Sequence, residues 1–287
     1  MLQIARLAPK LLGESADAVA GFLRGQQHAD GGFMDRSGHS DLYYTVFGLE
    51  GLLALRVDLP IASAASYLQP FGDGAGLDLV HLGCLARSWA ALPPAVRAVP
   101  ADGILLRIEA HRSGDGGYCQ AVAAAHGTLY GCFIATGAYQ DLGRAMPEPL
   151  RMLDCLRALE AEDGGYANQR DMPLGLTPST AAAVTLLRHL GQPIPPRLGD
   201  WLLQRCRAEG GFFATPIAPL PDLLSTATAL HALTSMHVAL DAIREPCLDF
   251  IDTLWTNRGA FHGTWTDEIL DCEYTYYALL ALGHLSL

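Results

Sequence analysis

Four residues in three short stretches have side chains that could do chemistry. "LDCEYTYY" holds two carboxyl groups, Asp271 and Glu273, among apolar and aromatic neighbours. A carboxylic acid in an apolar hole has a raised pKa and can stay protonated near neutral pH, which makes it a proton donor. "AAHGTLYGC" carries His126 and "GGYANQR" carries Arg170. A His and an Arg can each bind an anion through charge-assisted hydrogen bonds. Each residue also has a plainer role open to it. Asp271 can be a helix cap, with Glu273 turned to an outer groove or to solvent. His126 can cap a helix or bond a backbone carbonyl, and Arg170 can be a solvated loop residue.

The elements that position these residues repeat along the chain. "HADGGFMD", "SGDGGYCQ", "AEDGGYANQR", "RAEGGFFATP" and "NRGAFHGTW" place the first glycine of a turn at 31, 116, 164, 210 and 259. The last three spacings are 48, 46 and 49 residues; the first is 85, with room for one degenerate unit at Phe71 to Leu92. Fixed spacings of this size mark a repeat architecture, here of six units. An amphipathic stretch such as "LGDWLLQRCR" precedes each turn. After the turn, an Asp or its substitute opens a nearly all-apolar stretch: "DLYYTVFGLEGLLAL", "DLLSTATALHAL" and "DCEYTYYALLAL". A helix apolar all round is buried on both sides. The expected fold is therefore all-α, an (α/α)6 toroid occupying residues 1–287 as one domain, with an open solenoid as the competing arrangement. Parallel inner helices would bring six N-termini, and their positive dipole ends, to one end of the barrel. Tyr43, Tyr44, Phe47, Phe133, Tyr274, Tyr276 and Tyr277 would then line an aromatic hole.

Composition narrows the function. The 287 residues are 50% hydrophobic, enough for a large core, with a net charge of −11 and no basic stripe, so a nucleic-acid partner is not expected. Lys10 is the single lysine, so an anion clamp must use Arg, His or backbone N–H groups. No uninterrupted apolar run is long enough to span a membrane, and the N-terminal stretch does not read as a signal peptide. Seven cysteines without a C-x-x-C pair suggest buried thiols in a reducing, cytoplasmic setting. The stretches G-x-S-x-G, P-loop and H-E-x-x-H are absent. His28, His39, His81, His111, His231, His262 and His284 are scattered and read as loop or core residues.

The pattern Q-x-x-x-D-G-G-F followed by D-x-x-x-T-x-x-x-L-x-x-L resembles the repeat of the prenyltransferase and squalene-cyclase superfamily. "GGFMDRSGHSDLYYTVFGLEGLLAL" is most similar to repeats in protein prenyltransferase β subunits. The resemblance covers nearly the whole chain and implies an isoprenoid substrate in the barrel. It also implies a prenyl diphosphate held by His126 and Arg170, with Tyr43, Tyr44 and Tyr274 as further substrate-binding residues. Those β subunits work with an α partner and hold zinc through Asp-x-Cys and a His. Here Asp41, Asp222 and Asp271 are not followed by that spacing, so no cofactor is expected, zinc included. "LDCEYTYY" also resembles the acidic stretch of class II terpene cyclases, with Asp271, Glu273 and Thr275 in register and Glu273 at the proton donor's place. Tyr274 and Glu273 depart from that pattern. The resemblance thus implies a transferase or a cyclase; a non-catalytic toroid that binds a lipid or a partner protein is the alternative.

Overall fold

The computed structural model describes residues 1–287. Two short helices, α1 (Leu2–Ala5) and α2 (Pro9–Leu12), come first. Six pairs follow in chain order: α3 (Ser15–Gly25) with α4 (Leu42–Ala54), α5 (Ile61–Leu68) with α6 (Leu79–Ala91), and α7 (Ala101–Glu109) with α8 (Leu129–Asp141). Then come α9 (Met152–Ala158) with α10 (Thr177–His189), α11 (Arg197–Leu203) with α12 (Leu223–Ser235), and α13 (Asp241–Thr253) with α14 (Cys272–Leu285). The only strands form two short ladders, Phe33–Met34 with Ser40–Asp41 and Phe212–Phe213 with Pro221–Asp222. The second helix of each pair packs on the second helix of the next, and α14 packs on α4. The inner ring closes, so the fold is an α/α toroid and not an open solenoid. No helix is long and apolar enough to cross a membrane.

Both layers follow from the repeat. The turn glycines let the following unit's outer helix approach the backbone directly. Gly210 has φ +93°, and a Cβ there would lie 1.8 Å from the Pro246 carbonyl oxygen. Gly259 plays the same part between the sixth unit and the first, against the carbonyl of Ala18, which closes the outer ring. The aromatic after each turn is buried between the layers: Phe33, Tyr118, Tyr166, Phe212 and Phe261. The Thr of D-x-x-x-T holds that plug. Thr45 Oγ1 accepts the Phe33 N–H at 2.9 Å and donates to the Asp41 carbonyl at 2.7 Å. Thr226 does the same for Phe212 and Asp222.

The six inner helices start at one end of the barrel. Their first turns are joined to the next unit's loop by Leu129 N–H to Asn168 O, Thr177 N–H to Ala214 O and Leu223 N–H to Gly263 O. Side chains cap most of these starts: Asp41, Asp78, Thr128, Asp222 and Asp271 each accept first-turn N–H groups. Caps satisfy the free donors and, where anionic, complement the dipole. The expected anion-friendly mouth is therefore occupied by the protein's own oxygens.

Candidate active site

A cavity of about 910 Å³ runs through the inner barrel. Tyr43, Tyr130, Pro178 and Leu224 line it from the first turns of four inner helices. All four stand two residues after their helix cap, so this register faces the lumen. Phe47, Phe133, Tyr276 and Tyr277 form an aromatic belt, with the Phe47 ring 5.8 and 5.5 Å from the Tyr276 and Tyr277 rings. Exposed Pro94, Arg97, Gln140 and His189 surround its opening, at the C-terminal ends of the inner helices.

Two expected lining residues stand elsewhere. Tyr44 is one residue past the lumen register, and a helical step of about 100° turns it out of the wall. Tyr274 is displaced for the same reason; it covers Gly263 and lies under Arg36, whose guanidinium is 5.3 Å from the ring centre. Tyr130 was not among the expected residues, although its position relative to Thr128 repeats that of Tyr43 relative to Asp41.

Glu273 has the lumen register in the sixth unit. It is not turned to solvent: the Tyr43 hydroxyl donates to its Oε1 at 2.6 Å, placing the carboxyl one hydrogen bond behind the cavity wall. Burial pushes Glu273 up to about 7; the Tyr43 bond opposes this, Asp271 adds to it and Arg36 opposes it. Asp271 does something different. Its Oδ1 accepts the Tyr274 N–H at 2.9 Å, and its Oδ2 accepts from Arg36 Nε at 2.8 Å. Arg36 also bridges to Asp267 at 2.8 Å, tying the first unit's loop to the sixth. With both oxygens engaged, Asp271 is a helix cap and a ring closure, whereas of the two carboxyls only Glu273 keeps an oxygen without a bonded partner.

His126 and Arg170 do come together, but around Asp115. Arg170 donates to Asp115 Oδ2 at 2.6 Å, and His126 Nδ1 lies 3.6 Å from the same oxygen. Asp115 also accepts the Ser113 hydroxyl at 2.6 Å and the Gly127 N–H at 3.0 Å, and against the effect of burial its carboxyl is held below the usual carboxylate range by the bonds from Ser113, Gly127, Gly117 and Arg170. Neither residue lines the cavity. The pair that a diphosphate would need already holds a carboxylate and joins the third unit to the fourth. Arg170→Ala is expected to weaken the fold by about 1–2 kcal/mol, allowing for the guanidinium's exposure. The melting temperature should fall by a few degrees while affinity for a lumen ligand is unchanged, as calorimetry with and without ligand would show.

The fold and the repeat now meet an independent comparison. The family model for the prenyltransferase α/α-toroid domain matches residues 11–70 and 180–286. The chain belongs to this family. The unmatched middle of this prenyltransferase-type toroid holds the degenerate second unit and the region of His126 and Arg170. No curated protein matches it in sequence. Among solved structures it is similar to the type II terpene cyclase MstE from Scytonema. A variant of that enzyme with its substrate geranylgeranyl dihydroxybenzoate superposes with a TM-score of 0.69 at 14% identity, covering 97% of each chain. A second variant, with the product merosterolic acid A, gives 0.64 at 16% identity over the same shares.

The toroid also carries lumen chemistry that the sequence reading missed. Arg87 makes two bonds to Glu50, Nε to Oε1 at 2.6 Å and Nη2 to Oε2 at 2.5 Å. Asp141 lines the same end of the cavity, and burial pushes its carboxyl up to about 6. His231 lines the wall and meets His284 at 3.0 Å. The available signal was a charge inside an apolar helix, as with Glu50 in "FGLEGLLAL". No three His, Cys, Asp or Glu side chains gather to hold a metal ion, and the seven cysteines are free.

Proposed function

We propose that this protein is an isoprenoid cyclase that starts its reaction by protonating an alkene, with Glu273 as the acid. The observation that carries this is the place of the Glu273 carboxyl, one hydrogen bond behind an aromatic cavity, where burial pushes it up to about 7 and so keeps a sizeable fraction protonated at neutral pH. Its volume, about 910 Å³, is at the large end of the 300–1,000 Å³ typical of ligand pockets, enough for a folded polyene. With Tyr43 donating to Oε1, the acid proton sits on Oε2. Transfer to the terminal alkene uses the π pair for the new C–H bond and leaves a tertiary cation. The next π bond attacks it, closing a carbon–carbon bond and moving the cation along the chain. The faces of Phe47, Tyr276 and Tyr277 stabilise that charge, an interaction strengthened where water is excluded.

The distribution of polar groups orients the substrate. Glu50, Arg87 and Asp141 lie toward the open end, so a polar head group belongs there and the hydrocarbon tail points to Glu273. MstE, of the same fold, accepts a geranylgeranyl chain on a dihydroxybenzoate head, which supports a substrate of that kind. Prenyl transfer from a diphosphate is less well supported, because His126 and Arg170 are held by Asp115.

The test is incubation with geranylgeranyl dihydroxybenzoate in deuterated buffer. A cyclised product carrying one deuterium at the initiating carbon is expected. Binding without any product would favour a non-catalytic lipid-binding toroid. Tyr43→Phe separates the acid from its partner. The Tyr43 bond lowers the Glu273 pKa, so losing it should raise the pH at which activity falls away. It should also slow turnover, since a less acidic carboxyl donates less readily; a rate–pH profile reads both.

A further inference from the structure

A cation that travels along the lumen must be discharged, and beyond the polar groups at the open end the wall holds His231, an imidazole backed by a second one, His284. We propose that His231, supported by His284, is the base that ends the proposed cyclisation. This rests on the cyclisation reading and adds the fate of the cation to it.

His231 is on α12 and lines the cavity. Its Nδ1 is 3.0 Å from Nε2 of His284 on α14. That bond leaves His231 Nε2 as the ring nitrogen available to the lumen. With Nδ1–H donating to His284, Nε2 carries the lone pair a base requires. His284 is 2% exposed and its Nδ1 has no partner. An unpartnered buried nitrogen is unfavourable, and an apolar side chain would pack there better. The pair is therefore poorly explained by stability alone.

Protonation state and position agree with this role. Burial lowers the pKa of His231 to about 4, with the Met1 amino group and Arg188 acting in the same direction. Burial and His231 lower that of His284 to about 3. Both rings are neutral at physiological pH, so neither repels an approaching cation. A weak base suffices, because a carbocation gives up a neighbouring proton very readily. Glu273 and His284 lie eleven residues apart on α14, about 16 Å along the axis. Acid and base thus stand at opposite ends of the aromatic belt, so a cation formed at one end must cross it to be discharged at the other. The C–H bond beside the cationic carbon breaks, its electron pair becomes a new C=C bond, and the proton goes to His231 Nε2. The proton Glu273 supplied is balanced by the one removed, and the net reaction is an isomerisation.

The experiment uses the full chain and geranylgeranyl dihydroxybenzoate, with products separated and weighed by mass spectrometry. Wild type is expected to give a cyclised alkene of unchanged mass. His231→Phe should lose that alkene by roughly a hundredfold and instead release isomeric alkenes or an alcohol heavier by one water. His284→Gln, which can still accept the Nδ1–H, should retain the alkene, whereas His284→Leu should lose it; these two give the readout if His231→Phe does not fold. If His231→Phe makes the same alkene at the wild-type rate, or His284→Leu matches wild type, the base is elsewhere and the cyclase reading stands. If the wild-type product is itself the alcohol, water ends the reaction and the inference is overturned alone. No cyclised product from wild type overturns both.

Discussion

Glu273→Gln is expected to all but abolish cyclisation, by a factor of about a thousand, in the middle of the range of general-acid effects, while ligand affinity stays within about twofold. Glutamine keeps the shape and still accepts the Tyr43 hydroxyl, but it has no acidic proton. Isothermal titration and product analysis separate the two effects. If cyclisation continues at the wild-type rate, Glu273 is not the acid, and Asp141 becomes the candidate to test. The same carboxyl sets a pH dependence. Burial raises its pKa from the ordinary 4.5 to about 7 on folding, so the donor form predominates below pH 7 and is lost above it. Activity should fall with a single ionisation as pH rises through 7. The linkage to stability has the same sign: between 4.5 and 7 the native state binds more protons than the unfolded chain, so stability declines as pH rises. At pH 8 this amounts to something on the order of 3 kcal/mol. Glu273→Gln removes that loss and should melt several degrees higher than wild type at pH 8, but at nearly the same temperature at pH 4.5.

Arg87→Met is expected to cause the largest stability loss in the lumen. The Arg87 side chain is mostly buried, its remaining 28% exposure shared with the cavity it lines, and Glu50 is buried beside it. Removing one partner leaves an uncompensated charge, which costs about 3–5 kcal/mol. For a chain of this size that is a fall of roughly 10 °C in melting temperature. The double variant Glu50→Leu with Arg87→Met should recover most of it, because neither charge is then left alone. If the single variant melts with wild type, the pair is not carrying the load its geometry implies.

The chain's own pattern determined the architecture. Five glycine turns, a degenerate sixth unit and the apolar runs that follow dictate two layers, because a helix apolar on every side must be covered on every side. The Asp and Thr of D-x-x-x-T could also be placed, since a cap and its plug-holding hydroxyl depend on neighbours close in sequence or on the turn just before. Glu273 was identifiable as an acid in apolar surroundings, but its inward direction was not. That came from closure of the ring, which brings Tyr43 of the first unit against the sixth. Closure likewise decided the partners of Asp271 and of Arg170. Arg36 and Asp271 are 235 residues apart, and Asp115 and Arg170 are 55 apart. Whether a charged group binds a ligand or a neighbour depends on which opposite charge the fold places beside it. Glu50 with Arg87, and His231 with His284, belong to the same class: each residue looked solitary along the chain, and only the approach of two inner helices made a pair of it.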